Sequence, residues 1–197
     1  MKLHIGCGSK QLPGYVHINL IKHEHIDYVH DIAKIDQLFL ADSIDEIYAC
    51  HVLEHFSRKE ILNVFQCWTK VLKTGGRIRI AVPDFDAVVT HYMTHGDLST
   101  VTGLLYGGQT TPYDYHMVTF NRPILTELLT HLGFSQVKLY EADSFLPKGF
   151  DDYSQAYLPH MDPNGILMYL NLTAVKEGTP DNSSTLSPTL KRFMRLP

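Results

Sequence analysis

Leu3-His4-Ile5-Gly6-Cys7-Gly8, at the head of a 197-residue chain, is a short apolar run that ends in a Gly-x-Gly. Glycine has no Cβ, so the chain turns there with positive φ and its backbone can approach a bound molecule closely. In an open parallel sheet such a turn lies at the carboxyl end of a strand, beside the crevice where ligands collect. The dinucleotide fingerprint G-x-G-x-x-G is not completed, because Gln11 stands in its third glycine position. What the turn serves is therefore decided by the segments around it.

Downstream, Tyr15-Val16-His17-Ile18-Asn19-Leu20 alternates apolar and polar residues and reads as a second strand. Residues 7–14 contain a Pro-Gly turn and leave little room for the helix that normally joins parallel strands, which predicts a loop or a single helical turn. Ile26 to Val29 reads as a brief third strand, and a weak helical segment follows from Lys34 to Leu40. Asp45 to Cys50 is a fourth strand and leads into His51-Val52-Leu53-Glu54-His55. Ser57 and Glu60 have capping-box spacing, and Ile61, Leu62, Val64, Phe65, Trp68, Val71 and Leu72 recur at helical intervals as far as Gly75-Gly76. Arg77 to Val82 is a fifth strand, and Pro83-Asp84 opens a helix to about His95. Asp97 to Tyr106 reads as helical, and Gly107 to His116 as a long polar and aromatic loop of the kind that often carries function. Asn121 caps a helix that runs through Leu132 to Gly133. Strands at Gln136 to Tyr140 and Ile166 to Lys176 flank a second long loop, Glu141 to Gly165, expected over the sheet edge or its ligand cleft. This alternation of strand and helix is the signature of a doubly wound α/β sheet.

The length suits one domain, residues 1–177, and the Ser, Thr and Pro content of residues 178–197 reads as a flexible tail in which Phe193, Met194 and Leu196 are the candidates for docking. Cys7, Cys50 and Cys67 are odd in number and lack a C-x-x-C spacing, against both a disulfide framework and a cysteine-based zinc site. They fit a reducing, cytoplasmic setting. No apolar run approaches the roughly 20 residues of a membrane span. The formal charge of −4 supplies no global basic field for nucleic acid; only Lys191, Arg192 and Arg195 are locally basic. Nothing in the composition sets an oligomeric state.

Five stretches in order carry a family resemblance: Leu3 to Lys10, His17 to Leu20, Asp45 to His55, Leu72 to Asp84, and Leu170 to Lys176. Together they resemble a class I methyltransferase dependent on S-adenosylmethionine. The Pro112 to Phe120 loop and the later Phe150 to Tyr157 stretch look like a group of small methyltransferases associated with polysaccharide biosynthesis. The resemblance implies a Rossmann-like, mostly parallel seven-stranded sheet with an antiparallel last strand, here with its first crossover helix shortened or missing. It implies S-adenosylmethionine as cofactor, S-adenosylhomocysteine as product, and a small or glycan-like acceptor. In the family the glycine turn meets the methionine part of the cofactor, an acid at the end of the second strand holds the ribose, and an acid after the third strand meets the adenine. Those places fall on Gly6, Cys7 and Gly8, on Asn19 with Leu20, and on Asp31 with Ile32, while Cys50 and His51 stand at the end of the fourth strand. Asn19 departs from the family, because an amide lacks the charge-assisted, two-oxygen grip of a carboxylate. Lys10, where a third glycine is usual, and the lack of a helix before the first strand in this sequence are further departures. A catalytically silent binding module is the alternative that these departures leave; a dinucleotide oxidoreductase is disfavoured by Gln11 and Asn19.

Methyl transfer to a hydroxyl needs the acceptor held in line, and a base. His116 in the Tyr-Asp-Tyr-His loop and His51 past the fourth strand are the candidates, with Asp114 placed to orient His116. His51-x-x-Glu54-His55 also matches the inverted zinc motif H-x-x-E-H, a reading set aside here because the helix begins only about Ser57; no metal is expected. Glu54 and His55 are assigned instead to the helix N-terminus, Cys7 and Cys50 to the pocket lining, and Trp68 to the core.

Overall fold

The computed structural model describes residues 1–159, 162, 164–178 and 186–195. The alternating stretches become β1 (Lys2–Ile5), β2 (Val16–Asn19), β3 (Tyr28–Val29), β4 (Ile44–Cys50), β5 (Leu72–Pro83), β6 (Phe134–Leu139) and, numbered after a small hairpin of β7 (Tyr157–Leu158) and β8 (Ile166–Leu167), β9 (Tyr169–Lys176). They form one sheet in the order β3-β2-β1-β4-β5-β9-β6. Neighbours from β3 to β5 are parallel, and β9 runs antiparallel to both β5 and β6. This is the doubly wound, mostly parallel sheet with an antiparallel last strand that the sequence predicts.

Apolar residues of alternate register bury on one face, where Leu3, Ile5, Ile47, Ile78 and Leu172 meet α1 (Ile61–Val71), α4 (Arg122–His131) and a 3-10 turn at Ile32–Gln37. On α1 the buried Ile61, Val64, Phe65, Trp68 and Val71 make the helical stripe expected of them. Trp68 also donates its indole N–H to the Ile32 carbonyl at 2.8 Å, which fixes the chain beside Asp31. The helix stops at Val71, four residues before Gly75, because Leu72 is already extended and begins β5. The glycines belong to an irregularity in that strand: Ile44 pairs with Leu72 and Glu46 with Arg77, so the extra residues bulge out.

The opposite face carries α2 (Phe85–His95), the short α3 (Thr102–Tyr106) and the second long loop. No helix forms over residues 6–15. Leu12 takes part of the vacant space, its N–H donating to His17 Nε2 at 2.9 Å. The rest is covered by aromatic rings from the second loop: Phe145 meets Tyr48 edge-on at 5.0 Å, and Phe150 lies 6.4 Å from His4. Buried Asp152 accepts the Tyr48 hydroxyl at 2.5 Å and clamps this loop to the sheet.

The tail reading is corrected for the residues described. Pro188–Met194 is a helix, α5, whose N-terminus is capped by Ser187 accepting from the Leu190 N–H at 3.1 Å. Leu190 and Met194 are buried in the same core as α4; residues 179–185 and 196–197, including Leu196, lie outside the described residues. Among the described residues no helix is long and apolar enough to cross a membrane.

Candidate active site

β1, β2 and β4 deliver Gly6, Asn19 and His51 to the carboxyl edge of the sheet. There they line a cleft of about 560 Å³ together with Leu20, Asp31 and Ile32, a size ordinary for small-molecule sites. Gly6 has φ +62°, and a Cβ there would lie 2.6 Å from Val52 Cγ2, so both conformation and space demand glycine. Asn19 Nδ2 donates to the Ile21 carbonyl at 2.9 Å, which leaves Oδ1 as the acceptor. Asp31 caps the following 3-10 turn by accepting from the Ala33 N–H at 2.9 Å and pairs with Lys34 at 3.2 Å. Leu20 and Ile21 on one side and Tyr113, Tyr115 and Met117 on the other give the cleft an exposed apolar lip.

A second cavity of about 560 Å³ adjoins the first; Asp114, Tyr153, Met168 and Tyr169 contribute to its lining, and His51 and His116 line both spaces. The wall between them is built from segments far apart in sequence. His51 adopts φ +57°, a conformation that side chains other than glycine rarely take and that clusters at functional sites. Its N–H is held by the Ala81 carbonyl at 2.9 Å. A 3-10 turn at Leu53–His55 then presents Glu54 and His55. The Gly107 to His116 loop docks onto this turn: Met117 N–H donates to the Glu54 carbonyl at 2.8 Å, and His55 Nδ1 contacts the Tyr115 carbonyl at 3.1 Å.

Around the wall, His51 Nδ1 lies 2.5 Å from the Tyr169 hydroxyl and 3.0 Å from Glu54 Oε1, and the His51 ring stacks on Tyr153 with centroids 4.3 Å apart. Glu54 is only 1% exposed. Burial alone would raise its carboxyl, but contact with His51 and the charges of His51 and His55 outweigh it and hold the group below the ordinary carboxylate value. Burial lowers His55, against the attraction of Glu54, so its imidazole is neutral near pH 7. Burial pushes the Tyr169 phenol far up, so it keeps its proton.

Several expectations change. Asp114 does not orient His116: its carboxylate accepts from the Thr110 hydroxyl at 2.7 Å and from the Thr110 and Gly108 N–H groups, fixing the loop, while His116 Nδ1 turns to the Leu104 carbonyl at 2.9 Å. Glu54 and His55 lie in their own turn, ahead of α1, and do not brace its N-terminus. Cys7, Gly8 and Cys50 do not line the cleft. Cys7 is buried and its Sγ faces the Ile18 and Gly8 carbonyls; burial raises its thiol to about 12. Cys50 packs into the core of the other face, and burial raises its thiol too. A Cβ on Gly8 would meet open space, so only its φ of +53° asks for glycine. Tyr113 and Tyr115 line the first cleft and not the second cavity. Glu54, His55, Tyr153 and Tyr169 belong to this wall without being singled out as site residues in the sequence; Glu54 and His55 stand in the H-x-x-E-H stretch and Tyr153 in the Phe150 to Tyr157 stretch, whereas Tyr169 looks like an ordinary strand residue.

No family model matches the chain, and no curated protein matches it. Solved structures do. A SAM-dependent methyltransferase from Archaeoglobus fulgidus aligns with a TM-score of 0.55 at 13% identity, over 89% of this chain and 85% of that one. A SAM-dependent methyltransferase from Methanosarcina mazei gives 0.52 at 16%, over 89% and 91%. The Burkholderia thailandensis 1,6-didemethyltoxoflavin-N1-methyltransferase, which holds S-adenosylhomocysteine, gives 0.52 at 14%, over 90% and 71%. The chain has the Rossmann-like fold of the class I SAM-dependent methyltransferases.

Proposed function

We propose that the protein is an S-adenosylmethionine-dependent methyltransferase acting on a hydroxyl or similar nucleophile of a small acceptor. The observation that carries this reading is the pair of cavities at the carboxyl edge, one lined by Gly6, Asn19, Asp31 and Ile32, the other reached across His51 and His116. The first has the residues a nucleoside cofactor needs: a glycine that admits close backbone approach, hydrogen-bonding groups at the ends of β2 and β3, and apolar side chains for a base. S-adenosylmethionine supplies an electrophilic methyl group on a sulfonium sulfur. The second cavity holds the acceptor, and His116, with His51 as second candidate, takes the hydroxyl proton as the carbon–oxygen bond forms and the methyl–sulfur bond breaks, leaving S-adenosylhomocysteine. The glycan-like character of the acceptor rests on the resemblance of the Pro112 to Phe120 and Phe150 to Tyr157 stretches alone.

Calorimetric titration with S-adenosylmethionine and S-adenosylhomocysteine tests the reading. Saturable one-to-one binding, weakened in a folded Asp31→Ala variant, is expected. Absence of binding by the folded wild-type chain would leave a silent module in which Asn19 no longer supports the cofactor.

A further inference from the structure

We propose that His51, Glu54, His55 and His116 form a binding site for a divalent transition metal of the zinc type, set in the wall between the two cavities. One donor atom from each of these side chains lies within 4.8 Å of the donors of the other three. The three imidazole rings meet edge-on, every pair of centroids 4.9 Å apart. The H-x-x-E-H stretch supplies three of the four donors, but from a strand end and a 3-10 turn; the fourth arrives from a loop more than 60 residues away.

Two features point to a ligand. His116 Nε2 and Glu54 Oε2 are buried without a partner, Glu54 Oε1 meets only His51 Nδ1 at 3.0 Å, and leaving a buried polar group unsatisfied costs about 1–3 kcal/mol, more when it is charged. The outward nitrogens, by contrast, are engaged: His55 Nδ1 with the Tyr115 carbonyl and His116 Nδ1 with the Leu104 carbonyl. Donation from Nδ1 to a backbone carbonyl is how metal-ligating histidines fix their tautomer and present the Nε2 lone pair. His51 is likewise held from outside, by the Tyr169 hydroxyl and the Tyr153 ring.

Three imidazoles and one carboxylate suit zinc and its neighbours, whereas magnesium and calcium prefer all-oxygen sets. Tetrahedral bonds of about 2.1 Å place ligand atoms about 3.4 Å apart, so pairs up to 4.8 Å apart here close by up to about 1.4 Å, within reach of side-chain rotation. Four protein ligands complete a tetrahedral shell and leave no position for an acceptor hydroxyl, and His116 bound through Nε2 with Nδ1 on the Leu104 carbonyl has no nitrogen left to act as a base, so a bound ion competes with the base role that the methyltransferase reading gives His116. The metal site itself does not rest on that reading.

The test uses the full chain after chelation, titrated with Zn²⁺ by calorimetry and with Co²⁺ by visible absorption. One ion per chain is expected, with visible bands on Co²⁺ addition and no displacement by excess Mg²⁺. His116→Ala should weaken Zn²⁺ binding by at least about 100-fold, while His95→Ala, at an exposed position on α2, leaves it unchanged. His55→Ala serves as the second variant if thermal melting shows that His116→Ala is not folded. Zn²⁺ affinity in the folded variants equal to wild type, or no Zn²⁺ binding by wild type, overturns the site. S-adenosylhomocysteine binding on the same samples separates the two ideas: its absence with Zn²⁺ bound refutes the methyltransferase reading alone, and its presence without Zn²⁺ binding refutes the metal site alone.

Discussion

Replacing His4 by Phe should make the protein more resistant to acid. His4 is 2% exposed in the middle of the sheet, cross-strand from His17 and Tyr48, and its ring stacks on Tyr48 at 5.1 Å while Nδ1 has no partner. Burial first, and then the charges of His17 and His25, lower its imidazole from the ordinary 6.5 to about 3. Below pH 6.5 the unfolded chain takes up a proton at this residue, whereas the folded chain refuses it until about pH 3. The stability it contributes is therefore complete above pH 6.5 and is lost as pH falls from 6.5 toward 3. Between pH 7 and pH 5 the loss is about 2 kcal/mol, or about 4–8 °C in Tm for a domain of this size. Phe retains the ring contact and has no proton to bind. Urea unfolding of wild type and His4→Phe at pH 7, 6 and 5, at constant ionic strength, should show the difference moving in the variant's favour by about 2 kcal/mol; titrating groups common to both largely cancel. A difference that stays constant with pH would refute a neutral, buried His4.

Gly6→Ala should lower stability by about 2–4 kcal/mol, from left-handed strain and the collision with Val52, and should weaken S-adenosylhomocysteine binding in whatever folds; Gly8→Ala, whose Cβ meets open space, should cost only the strain, and equal losses in denaturant titrations would contradict this contrast. Asn19→Asp should tighten S-adenosylmethionine binding by about 1 kcal/mol through a charge-assisted bond to the ribose, and weaker binding by calorimetry would place the ribose elsewhere. His116→Ala should lose at least about 100-fold in turnover on the true acceptor, with a far smaller change in S-adenosylhomocysteine affinity because His116 is one of many residues lining that cleft; turnover preserved within a few-fold would make His116 a structural residue.

Short-range patterns carried most of the architecture. Strand patterns located the seven strands of the main sheet, although β5 begins five residues ahead of its alternating stretch and the run from Ile166 divides into β8 and β9, and the stripe from Ile61 to Val71 located α1, because burial on one face repeats with the period of the element itself. The Gly6 turn, Asn19, Asp31 and His51 were legible for the same reason: each directly ends or follows a strand, so order along the chain already brings them to one edge of the sheet.

Where chain order stops implying proximity, only the tertiary structure decided. Gly75-Gly76 has the composition of a helix stop, yet pairing with β4 makes it a strand bulge. The second long loop is expected over the sheet edge or its ligand cleft, and the Asp152–Tyr48 bond and the Phe145 and Phe150 rings make it the cover for a sheet face that lacks its crossover helix. Asp114 stands two residues from His116 and bonds elsewhere, since a side chain's partner is set by the loop's own hydrogen bonds and not by adjacency. The approach of His116 to His51, Glu54 and His55 depends on a docked loop closing more than 60 residues of chain, and His51 meets Tyr169 only because β9 inserts between β5 and β6. Local sequence encodes the period and the ends of elements; contacts between distant side chains arise when those elements share a core, and the chemistry of this site is made of such contacts.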